Sequence, residues 1–346
     1  MVTFVRPLPV INGLKVMNKF NFNLKVVDKG LEDYEELFEF FSSHQYTHFS
    51  NTKFTGYMKC LFNDNPFGKG LQVFARDPYG KLIGYNSIIS VHLIYNGKVI
   101  SGGQNINLLV HSDFRKKNLF LEMANRLFES AASHNINLIY GFPNEAAVPG
   151  HIRTGGWNFK DLSYFKTKIS ETSEYNTINK YISIKNFGNL TGKELSENKT
   201  DYNLLQIHKT IEYLNWRFIT LRTFFDYNIF KILDSSDNLL GIVVFNKYKK
   251  EEIIYGQIID TTIPIKNQKI FSDLLNFYFD YFKNKKIFNL QFLLLSERSV
   301  KKFLKSRGFQ EDSKNRFFLY RTKNQRYTYA INSDRYLFYL SSKDNL

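Results

Sequence analysis

Leu108-Leu109-Val110-His111-Ser112-Asp113-Phe114-Arg115-Lys116-Lys117-Asn118-Leu119-Phe120 is the stretch on which the reading of this chain turns. An apolar strand ends in a basic turn, and the turn enters a helix. That helix carries Phe120, Met123, Ala124, Leu127, Phe128 and Ala131 with a 3.6-residue period. A second apolar run, Leu138–Phe142, then closes on Gly141-Phe142-Pro143-Asn144. The first amides of a helix have no internal partners, and the aligned peptide dipoles make that end positive. With Arg115, Lys116 and Lys117 beside it, the turn forms an anion corner suited to the phosphates of a cofactor.

Working outward, the corner belongs to a longer unit that occurs twice. In the first copy Gly80-Lys81-Leu82-Ile83-Gly84 turns between strands Leu71–Ala75 and Gly84–Leu93, and Asn96-Gly97 marks a hairpin. Strand Ile106–Val110, the helix, strand Leu138–Phe142 and Gly155-Gly156-Trp157 follow. In the second copy Asp237-Asn238-Leu239-Leu240-Gly241 turns between strands Ile229–Leu233 and Gly241–Asn246. Strand Tyr255–Ile259 comes next, then a helix with Phe271, Leu274, Leu275, Tyr278, Tyr281 and Phe282 on one face, strand Asn289–Leu294 and Gly308-Phe309. Turn glycine to terminal glycine spans 72 residues (Gly84 to Gly156) and 67 residues (Gly241 to Gly308). Equal element order at similar spacing predicts an α/β (α+β) chain of two related domains. Their expected limits are residues 1–170, a polar connection over 171–200 that follows strand Tyr164–Ile169, and 201–346. The copies differ at the corner: the second has Pro264-Ile265-Lys266-Asn267-Gln268-Lys269, where Pro264 removes an amide donor. The second copy is therefore expected to be idle and to shape a cleft against the first. The C-terminal aromatics Phe317, Phe318, Tyr320, Tyr336 and Phe338 alternate as strands and are expected to extend the second sheet.

Composition narrows the partners. The 346 residues are 43% hydrophobic, and no run approaches the twenty apolar residues of a membrane span. A cytoplasmic protein with no membrane association is expected. Cys60 is the single cysteine, which excludes an internal disulfide and multi-cysteine metal sites; it reads as a buried, inert thiol. The seven histidines lie apart without His-Glu-x-x-His spacing, so no metal is expected. The formal charge of +15 favours polyanionic partners, but the lysines are scattered rather than massed, so nucleic acid is not the partner expected.

The run Val110-His111-Ser112-Asp113-Phe114-Arg115-Lys116-Lys117-Asn118-Leu119 resembles the acyl-CoA-binding motif of the GNAT superfamily of N-acyltransferases, Val-x-Pro-x-Tyr/Phe-Arg-Gly-x-Gly-Ile/Leu. Gly141-Phe142-Pro143-Asn144, Val148-Pro149-Gly150, Gly156-Trp157, Tyr57 and Asn65-Pro66-Phe67-Gly68 are similar to a subgroup pattern that resembles sugar N-acyltransferases. The resemblance covers about residues 25–165, and the remainder is similar to a degenerate second GNAT domain. Both motif glycines are replaced, by Lys116 and Asn118, and the motif proline by Ser112.

The resemblance implies two domains, each a mixed, mostly antiparallel sheet with a splayed pair of parallel strands flanked by helices. Acyl-CoA would lie between Ile106–Val110 and Leu138–Phe142. Its pantetheine would pair with backbone at Leu109, Val110 and His111, and its pyrophosphate would meet Arg115, Lys116, Lys117, Asn118, Leu119 and Phe120. Asn144 would border the arm. Acyl transfer to an amine needs a neutral amine, a polarised carbonyl and a protonated leaving thiolate. His151, seven residues after Asn144, is the sharpest catalytic candidate, because imidazole titrates near working pH; packing in an aromatic slot is the alternative. Asn105 and Asn107 share a strand face and are candidates to hold a water or a hydroxyl, unless they simply face solvent. Gln104, Tyr57, Trp216 and Arg217 are candidates for the acceptor, Arg217 as a bidentate phosphate ligand or else a surface arginine.

Three functions remain open. The favoured one is acyl-CoA-dependent N-acylation of a small acceptor, a nucleotide-linked amino sugar of surface polysaccharide, by direct ternary-complex transfer. The others are a tandem-GNAT aminoacyl transferase using charged tRNA, and a non-catalytic binding module on the same fold.

Overall fold

A computed structural model describes residues 22–188, 204–263, 267–295, 298–312, 317–332 and 336–339, apart from 29, 31, 32 and 162. The first half runs β1 (Asn23–Val27), α1 (Tyr34–Ser43), α2 (Asn51–Phe62), β2 (Leu71–Arg76), β3 (Leu82–Tyr95), β4 (Lys98–Val110), α3 (Leu119–Ser133), β5 (Leu138–Gly141), α4 (Val148–Thr154) and β6 (Asn158–Asp161). The second runs β7 (Ser163–Lys168), β8 (Lys180–Ser183), β9 (Leu205–Ile207), α5 (Ile211–Leu214), β10 (Asn228–Leu233), β11 (Leu239–Lys250), β12 (Ile253–Thr261), α6 (Gln268–Lys283), β13 (Asn289–Leu295), α7 (Arg298–Ser306), β14 (Gln310–Asp312), β15 (Phe317–Thr322), α8 (Gln325–Asn332) and β16 (Tyr336–Tyr339). The expected elements of both copies are present, and the architecture is the expected pair of mixed sheets flanked by helices.

Local chemistry explains the long hairpins. At the β3–β4 turn Asn96 and Gly97 both take positive φ (50° and 71°), the backbone of a tight turn that matches strand twist. Helix α3 lays Leu119, Met123, Leu127 and Ala131 against Leu71, Val73, Ile83 and Ile88 of the first sheet. Helix α6 packs Phe271, Leu274, Leu275 and Tyr278 against Val243, Phe245, Ile258 and Phe292. Each such side chain contributes roughly 1.5–3 kcal/mol on burial, against about 0.3–1 kcal/mol for a charge at a helix end. The apolar stripe therefore fixes α3, and no side chain caps its N-terminus. On the opposite face of the first sheet, α1 and α2 share one core with Ile229, Ile242, Val244 and Ile259 of the second half.

Two forks interrupt the sheets. In the first, β4 and β5 pair in parallel from Gly102↔Leu138 to Asn105↔Gly141, after which no described strand joins them. A bulge lies just past this vertex, between the pairs Tyr85↔Leu109 and Ser87↔Ile106, with Asn107 at φ 56°. In the second, β12 and β13 pair from Tyr255↔Asn289 to Ile258↔Phe292, and β12 bulges before Asp260. This second fork is filled. Strand β16 pairs Leu294↔Tyr339 and Leu295↔Phe338, while β7 already holds the other edge of β13 at Leu294↔Ser163. Beside it Lys209 Nζ lies 2.5 Å from Asp260 Oδ1 and 2.7 Å from the Thr261 carbonyl, with the Lys209 and Asp260 side chains buried.

The expected place of the C-terminal aromatics needs correction. Strand β15 does not extend the second sheet; it enters the first, between β5 (Tyr320↔Tyr140) and β6 (Leu319↔Phe159). In exchange β7, which follows β6 directly, leaves the first sheet and pairs along β13. Alternation reports a strand with two faces but not the edge it joins, so this exchange had no signature in the residues. Pro264 lies outside the described residues.

Candidate acyl-donor site

The turn expected to hold an anion lies where β4 meets α3. His111 N–H donates to the Ile83 carbonyl at 2.9 Å, ending the ladder, and a 3₁₀ turn over Ser112–Phe114 follows. Arg115 N–H closes that turn on Ser112 O, and its Nε donates to Val110 O at 3.3 Å, anchoring the exposed side chain at the strand end. Lys116 and Asn118 both take φ 62°. These are the two motif-glycine positions, so the left-handed backbone of the motif persists although its glycines are gone. The first helical bond of α3 is Glu122 N–H to Asn118 O, and no side chain caps the helix. In the second copy Asn267 Oδ1 accepts from Ile270 N at 3.3 Å, so α6 caps itself. Lys117 Nζ lies 4.8 Å from the Phe114 ring centre.

The fork vertex is polar. Asn105 Nδ2 donates to Asn86 Oδ1 and to the Ser87 carbonyl, each at 2.8 Å. Asn107 Nδ2 lies 3.7 Å from Met58 Sδ on α2, so the bulge turns Asn107 to the face opposite Asn105 and the expected shared face is not kept. Gln104 is buried and accepts from Tyr140 OH at 3.2 Å. Leu109 and Val110 line β4 beyond the bulge, on opposite faces of the sheet. Asn144 is exposed; its Oδ1 accepts from Ala147 N at 3.0 Å in the turn that precedes α4. Helix α4 then docks on α3 through Gly150, where a Cβ would stand 2.6 Å from Phe120 Cζ.

His151 is 4% exposed, edge-on to Phe120 at 5.1 Å and to Trp157 at 5.3 Å between ring centres. Its Nδ1 has no hydrogen-bond partner, and burial pushes its pKa down to about 4. The imidazole is thus neutral at working pH, which replaces the expectation that it titrates there.

Other candidates lie away from the fork's strands. Trp216 Nε1 donates to the Cys60 carbonyl at 2.8 Å, tying α2 to the turn after α5. Arg217 is 3% exposed rather than on the surface. Tyr57 is fully buried against Phe49, Phe224 and Phe225. Burial pushes the Cys60 thiol up to about 11, in keeping with an inert role. Among the described residues no group of His, Cys, Asp and Glu is placed to hold a metal. No described helix is long and apolar enough to cross a membrane. Sequence reasoning passed over Asn86 and Met58; strand parity places Asn86 on the face of Ile88, but its pairing with Asn105 needed the register.

No protein-family description and no curated relative matches the sequence. The fold is nevertheless shared. A probable N-acyltransferase from Enterococcus faecalis superposes with TM-score 0.64 at 10% identity, over 87% of this chain and 72% of that one. A GCN5-related N-acetyltransferase from Anabaena variabilis gives 0.63 at 13% identity, over 86% and 72%. The N-myristoyltransferase of Saccharomyces cerevisiae, with bound myristoyl-CoA, gives 0.54 at 12% identity, over 91% and 80%. The chain has the GNAT fold of these N-acyltransferases.

Proposed function

We propose that this chain is an acyl-CoA-dependent N-acyltransferase whose donor lies in the first fork. The observation that carries the reading is the asymmetry of the two copies. The first has an open fork and an uncapped helix start, and the second fills its fork with β16 and caps its helix with Asn267. The first site suits a coenzyme's diphosphate: free amides at Leu119 and Phe120, cationic side chains at Arg115, Lys116 and Lys117, and left-handed backbone at 116 and 118. The side of β4 that faces the fork over Leu109, Val110 and His111, where Val110 O accepts from Arg115 Nε and His111 N–H is held by Ile83 O, is the proposed track for the amides of pantetheine, with Asn144 bordering the arm. The N-acyltransferase fold supports the same class of reaction.

A bound acyl-CoA supplies a thioester whose carbonyl accepts an amine and releases a thiolate. The chain's own part is mainly positioning, which alone contributes several kcal/mol. Bulge backbone near Asn107 offers amide dipoles to a developing oxyanion. Asn107, on the α2 face of the bulge, is suited to hold the amine or a water that takes its proton; Asn105, on the opposite face with its amide donating to Asn86 and Ser87, is suited only to fix the vertex. His151, neutral and next to Phe120, is suited to donate or accept one hydrogen bond but not to act as an imidazolium. The acceptor we favour is a small amine on an anionic carrier, a nucleotide-linked amino sugar, in keeping with the +15 charge; Gln104, Tyr57, Trp216 and Arg217 are its proposed surroundings. A cytoplasmic location follows from that substrate.

Thermal unfolding with acetyl-CoA tests the donor site. At a hundredfold excess over Kd, ligand stabilisation of about 2.7 kcal/mol is expected, and Arg115→Ala should weaken the affinity by about tenfold, as loss of one charge-assisted contact would. No shift at millimolar acetyl-CoA would overturn the reading. Tight tRNA binding with a steep salt dependence would replace it with aminoacyl transfer from tRNA.

A further inference from the structure

The vertex of the first fork sets how far a donor's acyl group can reach. Strand pairing closes the sheet at Asn105↔Gly141, where a Cβ on Gly141 would stand 3.2 Å from the Asn105 carbonyl. An arm running back along β4 from the anion corner must end there, so anything attached beyond its thiol has to leave the sheet plane. Both faces are walled. On the α3 face stand Asn105 and Asn86, joined side chain to side chain, with Asn86 wholly buried, its Oδ1 accepting from Asn105 and its Nδ2 without a hydrogen-bond partner. On the α2 face stands Asn107, turned outward by its left-handed backbone and ending 3.7 Å from Met58 Sδ. Met58 has no exposed surface. Its neighbour Tyr57 is held by the rings of Phe49, Phe224 and Phe225 at 5.6, 5.7 and 5.7 Å between centres.

We infer that the donor carries a short acyl group, acetyl or propionyl, and that Met58 with Asn107 sets the length limit. This rests on acyl-CoA occupying the first fork. Methionine is adaptable in open surroundings, but here it lies wholly within the buried core that α2 shares with the second half, so a longer chain must displace core side chains. Displacement of that kind is costly. The fold itself does not dictate length, since it is shared with an acetyltransferase and with a myristoyltransferase. Length is a property of these side chains.

Calorimetric titration with CoA, acetyl-CoA, hexanoyl-CoA and decanoyl-CoA decides the matter without knowledge of the acceptor. Acetyl-CoA should bind at least as tightly as CoA, and affinity should fall by roughly tenfold or more by decanoyl-CoA, as expected for methylenes without a pocket. Met58→Ala should recover most of that loss for decanoyl-CoA while changing CoA itself little. If Met58→Ala does not fold, Asn107→Gly, which suits φ 56°, removes the facing side chain and should recover it instead. Wild-type protein that binds decanoyl-CoA as tightly as acetyl-CoA would overturn the length limit and leave the donor site standing. Binding of no CoA species would remove the donor site itself.

Discussion

Burial between Phe120 and Trp157 gives His151 a protonation state that its residue type alone does not reveal. Its folded pKa, about 4, lies below the ordinary 6.5 because burial penalises the imidazolium. Between pH 6.5 and 4 the unfolded chain takes up a proton that the folded chain refuses. Stability from this group is therefore complete above pH 6.5 and is lost as pH falls toward 4. The full effect is about 3 kcal/mol by linkage. Urea denaturation of wild type and His151→Phe across that interval should show the wild-type slope flattened in the variant; identical slopes would show that His151 is not the source. At the same scale the proposed donor corner was only partly legible. Arg115 and the run of lysines announced it, but Lys116 and Asn118 disguised a glycine backbone behind non-glycine side chains. Both sit at φ 62°, a conformation that neighbouring structure imposes on Lys116 against its own preference. The partners Asn86 and Met58 were invisible because each meets its counterpart across a register or a helix packing that residue spacing does not encode.

Among elements, helices α3 and α6 and the strands that flank them were readable, since period and turn chemistry are local. The contrast between their two N-termini was readable only in part, because Asn267 looks like any polar residue until it caps. Beside β16, which fills the second fork, lies the buried Lys209–Asp260 pair, with side chains 6% and 3% exposed. A buried pair is weak evidence of net stability, but removing one member strands a charge. Lys209→Met is expected to destabilise the protein by about 3–5 kcal/mol. The double variant Lys209→Met with Asp260→Leu should recover most of it. A single variant as stable as wild type in urea would mean that no charge is stranded there.

For the whole molecule, the exchange of β7 and β15 decides how the halves depend on one another. Strand β15 completes the first sheet between β5 and β6, and β7 completes the second along β13. A shared core joins α1 and α2 to Ile229, Ile242 and Val244. Fragments cut near residue 170 should thus be unstable apart, and should regain acetyl-CoA binding only when mixed. The intact chain should unfold in one transition, with far- and near-ultraviolet circular dichroism coincident. A stable, isolated fragment 1–170 would show that the exchange is dispensable.

The same exchange bears on biosynthesis. While the ribosome is still making the segments that follow β5, that strand already exists but lacks the neighbour that will flank it, because Phe317–Thr322 lies far downstream of it. The unfilled edge beside Tyr140 is then a template for wrong partners, as exposed strand edges are. Translation speed and chaperone capture should accordingly govern the soluble yield of this protein more than the intrinsic stability of either sheet.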